Sequence, residues 1–360
     1  MKKVENAGIK GIKTKRKPFR IGPEEFFHET ETVRQLFSTL IENDENERVV
    51  IIPSASYGLA NVAHNLPFDG GEIIVADEQF PSNVYPWTAL AEKGFEITTI
   101  PAPKSSSRGE DWNSEILNAI NETTRLVSIG QVHWSDGTLF KLELIREKLD
   151  QVGGLLIIDG TQSVGALPFS VKKYRPDAVI CSGYKWLMGP YSIGLAYYGP
   201  VFDRGVPIEQ NWINRIKSDD FAGLVKYEET YREKALRYEV GEHSNFILIP
   251  MIHQALKQIL KWNPVDIQEY LKELTTDPLN ELREMGYLIE NDNWRGHHLF
   301  GVRLPKGIEI DKLKGFLNRY RVSVSTRGDA IRVAPHVYND EMDMRKLLKA
   351  MKEPILAQKN

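Results

Sequence analysis

Three polar residues follow two apolar segments near the middle of the chain, and their types suit chemistry on a carbonyl compound. Asp159 ends the apolar run Leu155–Asp159, and Gln162 follows it three residues later. A second apolar run, Ala178–Ser182, leads through a glycine-containing turn to Lys185, which stands between two aromatic residues. A lysine in this setting can be desolvated, which favours its neutral amine and hence a Schiff base with a carbonyl group.

These residue types meet the needs of pyridoxal 5'-phosphate (PLP), which binds a lysine through its aldehyde and places an acid beside its ring nitrogen. Asp159 would keep the ring nitrogen protonated, and Gln162 would donate to the phenolic oxygen of the ring. Lys185 would hold the aldehyde and move a proton. Each residue alone has a plainer explanation, because strand-end aspartates often cap helices and most lysines are solvated. Together they predict cofactor chemistry.

The elements that must position these residues alternate between short apolar runs and helical patterns. Continuous apolar strands that alternate with helices indicate an α/β domain whose parallel or mostly parallel sheet is covered on both faces. Ligands bind at the carboxyl ends of the strands in such sheets. The predicted strands are Arg48–Pro53, Glu72–Ala76, Glu96–Ile100, Thr124–Val132, Gly154–Asp159, Ala178–Ser182 and Ile193–Tyr198, and the predicted helices are Glu31–Asn43, Tyr57–Leu66, Tyr85–Lys93, Asp111–Ala119 and Leu142–Gln151.

After about Ser244 the pattern changes to an α+β type of about 100 residues, a size typical of a second domain. Its predicted helices are Pro250–Trp262, Pro264–Met285, Lys312–Tyr320 and Asn339–Met351, and its predicted strands are His297–Leu304, Arg321–Thr326 and Ala330–Ala334. We therefore expect a large domain over residues 31–247 and a small C-terminal α+β domain over residues 248–360. Residues 1–30 are expected to form a solvated arm that packs on the small domain.

Composition narrows the function classes. The 360 residues include 46 Lys and Arg against 49 Asp and Glu, a formal charge of -3 that gives no electrostatic footprint for nucleic acid. The chain has one cysteine, which fits a reducing compartment. No apolar run approaches the ~20 residues that a spanning helix needs, and the basic N-terminus has no apolar segment after it. We expect a cytoplasmic enzyme without a nucleic-acid, membrane or metal partner.

The order Asp-x-x-Gln, then Ser-Gly-Tyr-Lys, then a glycine-rich tail resembles the class V aminotransferase family of PLP enzymes. The resemblance runs from about Val33 to Met351. That family includes cysteine desulfurases, kynureninases and isopenicillin N epimerase-like proteins. It implies the PLP-dependent transferase fold type I, with a mixed, mostly parallel sheet between helices in the large domain. It also implies a homodimer with shared active sites, in which Trp212, Arg215 and Gly241–Asn245 lie where family members lend residues across the interface.

The resemblance assigns the cofactor phosphate to the turn Pro53–Gly58, through the positions that match Ala55 and Ser56. The N-terminus of a helix suits a phosphate because its backbone N–H groups and its dipole point toward the anion. Ser182 and Tyr184 would add hydroxyl donors. The plainer alternative for this turn is a serine that only caps a helix.

The resemblance also assigns residues to the cofactor ring and to proton transfer. Phe80 and Asn83 stand in a Phe-Pro-Ser-Asn string that resembles the kynureninase-like pattern, in which a Phe stacks on the ring where desulfurases have a histidine. Phe80 would cover the ring and Asn83 would lie near the cofactor, although aromatic residues are also common in cores. His133 is the acid–base candidate besides Lys185, and its alternative is a structural role.

Arg332 precedes Tyr-Asn at the family spacing, so the resemblance implies that Arg332 binds the α-carboxylate of the substrate. A guanidinium holds a carboxylate in a bidentate fork. The alternative is a surface arginine that pairs with Asp329 or Asp340. Ser244 and Asn245 lie where the family reaches the cofactor phosphate of the partner subunit, although the usual Thr is missing.

The reaction type is narrowed by the single cysteine. Cys181 lies inside an apolar strand, and Ser323–Ala330 has no thiol, which argues against a thiol-based cysteine desulfurase. An aminotransferase-like enzyme acting on an amino acid is the first expectation. The alternatives are a PLP-dependent lyase, an epimerase or a kynureninase-like hydrolase, because one PLP–amino acid adduct serves all of them. A non-catalytic binding protein that kept the fold is disfavoured by the presence of Lys185, Asp159 and Arg332.

Overall fold

The computed structural model describes residues 1–328 and 330–357, which divide into two compact units. Unit 1 comprises Met1–Ile100, Ile116–Gln131 and Lys141–Trp262. Unit 2 comprises Pro101–Glu115, Val132–Phe140 and the chain from Asn263 onward. The sequence placed the boundary at residue 247, whereas the structure keeps the next helix with unit 1 and gives two earlier segments to unit 2.

Unit 1 holds a sheet of seven strands in the order β1-β7-β6-β5-β4-β2-β3. Neighbouring strands from β2 to β6 run parallel, and β7 is antiparallel to both β1 and β6. The strands are β1 Val49–Ile52, β2 Gly71–Ala76, β3 Phe95–Ile100, β4 Thr124–Gly130, β5 Leu155–Asp159, β6 Ala178–Ser182 and β7 Gly194–Tyr198. Most of these strands are largely apolar and buried, as expected for strands covered on both faces, while the edge strand β3 is partly exposed. The predicted α/β class with a mostly parallel sheet is confirmed.

The helices of the first part of the chain are α1 Lys2–Thr14, α2 His28–Leu40, α3 Ala55–His64, α4 Tyr85–Thr88, α5 Arg108–Ala119, α6 Leu142–Val152, α7 Val171–Tyr174 and α8 Leu248–Trp262. Helix α4 is shorter than the predicted Tyr85–Lys93, which continues instead as a 3₁₀ turn over Ala91–Lys93. Gly94, at φ 81°, then reverses the chain into β3. The core between the sheet and its helices includes Trp87, which is fully buried.

The basic N-terminal segment forms a helix, where the sequence suggested a solvated arm. Helix α1 packs against α8, and both helices belong to unit 1. The close approach occurs at Gly11, where a Cβ atom would lie 2.1 Å from the carbonyl oxygen of Phe246. Only a residue without a side chain fits there.

Unit 2 contains a small antiparallel sheet in the order β8-β10-β9. Its later elements are α9 Pro264–Glu284, β8 Phe300–Arg303, α10 Ile310–Arg319, β9 Ser325–Arg327, β10 Ala330–Val333 and α11 Glu341–Leu356. Strand β9 begins later than the predicted Arg321 because that residue, at φ 57°, ends α10 in a left-handed turn. Asp340 caps α11 by accepting a hydrogen bond from Asp343 N at 3.1 Å.

Residues 1–328 and 330–357 lack two features that would suggest a membrane or metal partner. None of the helices described there combines the length and the apolar character that a membrane crossing requires. No group of three or more His, Cys, Asp or Glu side chains in that part of the chain is arranged to hold a metal ion.

Candidate active site

Asp159 and the lysine loop meet because β5 and β6 are parallel neighbours. Asp159 pairs with Ile180 in the sheet, so both strands end at the same edge. Thr161 joins the two strand ends: its N–H donates to Asp159 Oδ1 at 3.0 Å, and its Oγ1 accepts from Ser182 N at 3.1 Å. Thr161 was not among the predicted site residues, although it lies in the sequence between Asp159 and Gln162, which were.

Lys185 lies in a tight turn between aromatic rings. Its Nζ is 5.3 Å from the ring centroid of Phe80 and 5.8 Å from that of Tyr184. The turn requires Gly183, since a Cβ there would lie 2.6 Å from the carbonyl oxygen of Ile193, to which Gly183 N donates at 2.8 Å. Both distances from Lys185 Nζ lie within the ~6 Å range over which the face of an aromatic ring attracts a cation.

The Asp159 carboxyl group has an unusual electrostatic setting. Burial raises its pKa, and the hydrogen bonds from Thr161 and the positive charge of Lys185 only partly oppose that effect. A carboxylate held in this way is stabilised by a cation that comes close to it. A protonated pyridine nitrogen is a group of the required charge, so the residues present fit PLP.

The Gln162 side chain is held in one orientation by Trp186. The indole N–H of Trp186 donates to Gln162 Oε1 at 3.0 Å, and Gln162 is buried. Because an indole nitrogen can only donate, this bond fixes the amide oxygen and directs the NH₂ group to the other side. Gln162 is therefore oriented as a donor on that side. From its position in the sequence, Trp186 was predicted only as an aromatic neighbour of Lys185.

The predicted phosphate turn lies between β1 and α3. Ser54 caps the helix, since its Oγ accepts from Tyr57 N at 3.2 Å and lies 2.9 Å from Ser56 Oγ. Ala55 is the first residue of α3, and the Ser56 side chain is exposed. The cap falls on Ser54, so Ser56 is available for another role. A helix N-terminus of this kind suits an anionic group.

Asn83 is fully buried beside β4. Its Oδ1 accepts from Ser128 Oγ at 2.5 Å and from Trp87 Nε1 at 3.3 Å. Its Nδ2 is buried and has no hydrogen-bond partner within residues 1–328 and 330–357. A buried amide that lacks an acceptor costs free energy, so a polar ligand that accepts from it would be stabilised there.

The two hydroxyl donors predicted near Lys185 differ in exposure. Ser182 is buried at the end of β6, while Tyr184 is 40% exposed. The Tyr184 ring lies 4.5 Å from that of Tyr191, centroid to centroid. Burial, followed by the nearby Tyr191, raises the pKa of the Tyr184 phenol, which therefore remains a donor at neutral pH.

His133 lies in unit 2 and is almost fully buried. Its Nδ1 is 2.9 Å from Ser135 Oγ and 3.4 Å from Asp136 Oδ1. The indole of Trp112 packs against the imidazole, with 4.8 Å between ring centroids. These contacts favour the structural alternative for His133, because a side chain packed and bonded in this way holds its turn in place.

Arg332, also in unit 2, is held by neutral oxygens. Its Nη1 donates to the carbonyl oxygen of Trp134 at 2.7 Å and its Nε to Ser325 Oγ at 3.1 Å. Of the two aspartates considered as partners of Arg332, Asp340 instead accepts a backbone hydrogen bond at the start of α11, and Asp329 lies outside the described residues. No carboxylate in the described part of unit 2 forms an ion pair with this guanidinium.

The two residues proposed to reach a partner subunit have local roles. Ser244 is buried. Asn245 caps α8: its Oδ1 accepts from Ile247 N and from Leu248 N, both at 3.0 Å. The capping bonds occupy the Asn245 oxygen, so any further contact from this side chain would use its NH₂ group.

Comparisons with known proteins identify the family of the chain. The sequence profile of the family described as "Aminotransferase class-V" matches residues 22–350. The uncharacterized aminotransferase YcbU of Bacillus subtilis (strain 168) is 26% identical over 324 residues, which cover 89% of this chain and 83% of that protein. A cysteine desulfurase of Pectobacterium atrosepticum is 24% identical over 301 residues, 82% of this chain and 72% of that protein.

Solved structures share the fold. The apo cysteine desulfurase of Thermococcus onnurineus NA1 superposes with a TM-score of 0.81 at 20% identity, over 98% of this chain and 92% of that one. The cystine C-S lyase C-DES, solved with its product cysteine persulfide, gives a TM-score of 0.82 at 18% identity, over 96% and 93% of the two chains. Fold type I is thereby confirmed. The chain belongs to the class V aminotransferase family of PLP-dependent enzymes.

Proposed function

We propose that this protein is an aminotransferase-like enzyme that acts on an amino acid. The observation that carries the proposal is the group formed at the ends of β5 and β6. There Lys185 Nζ lies between the rings of Phe80 and Tyr184, and its charge influences the half-buried carboxyl group of Asp159. When bound, PLP supplies an electron-accepting ring that draws charge from the Cα of an amino acid.

Each residue at the strand ends has a task that follows from its contacts. Asp159 would hold a proton on the ring nitrogen, since its carboxylate lacks a full counter-charge. Gln162, oriented by Trp186, would donate to the phenolic oxygen. Phe80 would cover one face of the ring without supplying a proton. Lys185 would bond the cofactor at rest and carry a proton at Cα afterwards.

The phosphate and the substrate would be bound by other parts of the chain. The first N–H groups of α3, at Ala55 and Ser56, together with the Ser182 and Tyr184 hydroxyl groups, would take the cofactor phosphate. Arg332 would take the α-carboxylate of the amino acid. Its support is the absence of an acidic partner among the described residues of unit 2, and its bonds to Trp134 O and Ser325 leave donors on the rest of its fork.

We also propose that the protein does not act by the thiol route of a desulfurase. The support is Cys181, the one cysteine of the sequence, which is fully buried in β6. Burial raises the pKa of this thiol well above its ordinary value, and the thiolate is the reactive form. A buried, protonated thiol on a strand is a poor sulfur acceptor.

A homodimer with shared active sites, working in the cytoplasm, completes the proposal. Ser244 and Asn245 would reach the cofactor phosphate bound by the partner subunit. Because Ser244 is buried, it gives the dimer proposal little support. The loop after Trp212 supports the dimer proposal better, because its residues Val225 and Tyr227 are 80% and 96% exposed. Large apolar side chains exposed to this degree are common in interfaces.

The test is a panel of L- and D-amino acids added to the PLP-loaded protein. Transamination predicts conversion of the cofactor to its amine form and a 2-oxo acid identified by mass. Ammonia without amine cofactor indicates the lyase alternative, inversion at Cα an epimerase, and release of alanine from kynurenine the hydrolase. The variant Lys185→Ala is the control, since it keeps the fold and removes the proton carrier. Binding of PLP with no product from any amino acid would contradict an enzymatic role.

A further inference from the structure

Two arginines lie on one face of the small sheet in unit 2. In the pairing of β9 with β10, Ser325 faces Arg332 and Arg327 faces Ala330. Directly opposed residues of antiparallel strands share a face, and so do residues two apart on one strand. Arg327 and Arg332 therefore project from the same face of the sheet.

Both guanidinium groups contact Trp134. Arg332 Nη1 donates to the backbone oxygen of Trp134 at 2.7 Å, while the Arg327 Cζ lies 5.4 Å from the centre of the indole ring. Arg327 Nη1 donates to Thr326 O at 2.7 Å. Arg332 thus contacts the backbone of Trp134, while Arg327 contacts its ring. The two guanidinium groups are therefore separated along the length of this residue.

Neither cation has an acidic partner among the described residues of unit 2. Arg327 Nε is buried and has no hydrogen-bond partner within the described ranges. Burial, followed by the charge of Arg327, lowers the pKa of Arg332. Arginine does not deprotonate in proteins, so two partly buried positive charges side by side raise the free energy of the folded state unless an anion binds.

Three other arginines of unit 2, of which Arg108 and Arg295 are buried and Arg303 is half-buried, do have acidic partners. Arg108 Nε and Arg303 Nη2 bind Asp136 at 2.7 and 2.9 Å, and Arg295 pairs with Asp292. The unit therefore neutralises its structural arginines. The absence of a described acid at Arg327 and Arg332 sets these two apart as a site for an external anion.

We propose that Arg327 is a second anion-binding residue beside Arg332, and that the substrate carries two acidic groups. This proposal rests on the proposed function, in which Arg332 takes the α-carboxylate. One carboxylate neutralises one guanidinium, so a second acidic group on the amino-acid side chain would neutralise the other. The chemical class is a dicarboxylic amino acid or the corresponding 2-oxo diacid, with the second acid held at Arg327 over the Trp134 ring.

Two non-reacting acids with the same four-carbon chain test the proposal by calorimetry on the PLP-loaded protein. Succinate has two carboxylates and butyrate has one. Succinate should bind at least about 10-fold more tightly, since a charge-assisted contact to arginine is worth about a decade in Kd or more. Arg327→Gln should abolish this preference while changing butyrate affinity less than about two-fold. Arg332→Gln should weaken the binding of both acids.

Two further variants make the result specific. Arg327→Lys keeps the charge and should retain part of the preference for succinate, which guards against a folding defect in the glutamine variant. Arg319→Gln, on the exposed surface of α10, removes one positive charge elsewhere in the unit and should alter neither Kd. Equal affinities for the two acids in the unmodified protein, or an unchanged preference in Arg327→Gln, would overturn the proposal.

The amino-acid panel separates this inference from the function on which it rests. If monocarboxylic amino acids are converted as fast as dicarboxylic ones and succinate shows no advantage, the enzyme stands and the two-anion site is wrong. If succinate is preferred but no amino acid is converted, the arginine pair binds diacids and the proposed function is wrong, and with it the assignment of a substrate.

Discussion

At the scale of single residues, Asp159 shows how a functional carboxyl group is held at a cost to the folded chain. It needs little water around it to interact strongly with a cationic ring nitrogen, and the same burial raises its pKa above the ordinary 3.8. A carboxyl group with a raised pKa binds protons more readily in the folded state. Its contribution to the stability of the cofactor-free chain therefore falls as the pH rises through the range between the ordinary and the raised pKa.

We therefore predict opposite effects of Asp159→Asn on stability and on function. At pH 7 the cofactor-free variant should melt no lower than the unmodified chain, because a neutral amide replaces a carboxylate that lacks a full counter-charge. Its turnover with PLP should fall by about 100-fold or more, the scale of losing one electrostatic contact to the reacting group. Differential scanning calorimetry and turnover assays on the same preparations measure both.

The surface substitution Asp44→Asn, which affects an exposed ion pair with Lys172, is the matched control and should change neither quantity appreciably. A large loss of melting temperature in Asp159→Asn would show that the carboxylate is structural, and unchanged turnover would show that it does not serve the cofactor.

Residue type and spacing were sufficient to predict Lys185 and Asp159 as neighbours, because Asp159 ends the apolar strand β5, Lys185 follows the apolar strand β6 by three residues, and these two strands are parallel. They were not sufficient for Trp186, whose indole orients Gln162, nor for Thr161, whose contacts depend on the register of β5 against β6. Arg327 was also missed. Its strand has three residues, too few for an alternating pattern to show which side chains share a face.

At the scale of elements, a buried ion pair fixes the strand from which the phosphate turn extends. Glu239 is fully buried, binds Arg34 of α2 and accepts from Ile51 N of β1 at 2.9 Å. Burial alone would raise the pKa of Glu239, but Arg34 and His243 lower it to about 2. One carboxylate thus connects a helix, a strand and the segment before α8.

Glu239→Gln should lower the free energy of unfolding at pH 7 by about 3 kcal/mol, since it leaves Arg34 buried without its main partner. Because the folded pKa lies below the ordinary 4.5, the stabilisation is present above that pH and is lost as the pH falls toward 2. The difference between variant and unmodified protein should therefore shrink with acid. Urea denaturation at a series of pH values measures it.

Glu45→Gln is the control for this series, because Glu45 pairs with Arg48 while its side chain is 45% exposed. It should cost less than about 1 kcal/mol. A cost for Glu239→Gln no larger than that of the control would contradict the role of the buried pair.

Most elements could be predicted because most strands of unit 1 are apolar runs. Helix α1 could not, since its lysine-rich sequence reads equally well as a solvated arm until α8 covers its apolar face. The unit boundary was missed for a related reason. Segments 101–115 and 132–140 belong by sequence to the large domain, and only long-range contacts assign them to unit 2.

At the scale of the whole molecule, we predict a dimer whose formation depends on the exposed loop after Trp212. The double substitution Val225→Ser, Tyr227→Ser should raise the dimer dissociation constant by about 10-fold or more, because it removes two large exposed apolar groups from the interface. Sedimentation velocity over a dilution series measures the change. Tyr85→Ser, at another tyrosine that is 67% exposed, should leave it unaltered. A protein that is monomeric and catalytically active at all dilutions would contradict the prediction.

The assignment of Lys185 as the residue that carries the cofactor is the central claim, and it is tested most directly by chemical reduction. The PLP-loaded protein is treated with borohydride, which makes the bond between lysine and cofactor permanent, and is then digested and mapped by mass spectrometry. The cofactor mass should appear on the peptide that contains Lys185 and on no other peptide. A label on a different lysine, or none on a protein shown to contain PLP, would contradict the account.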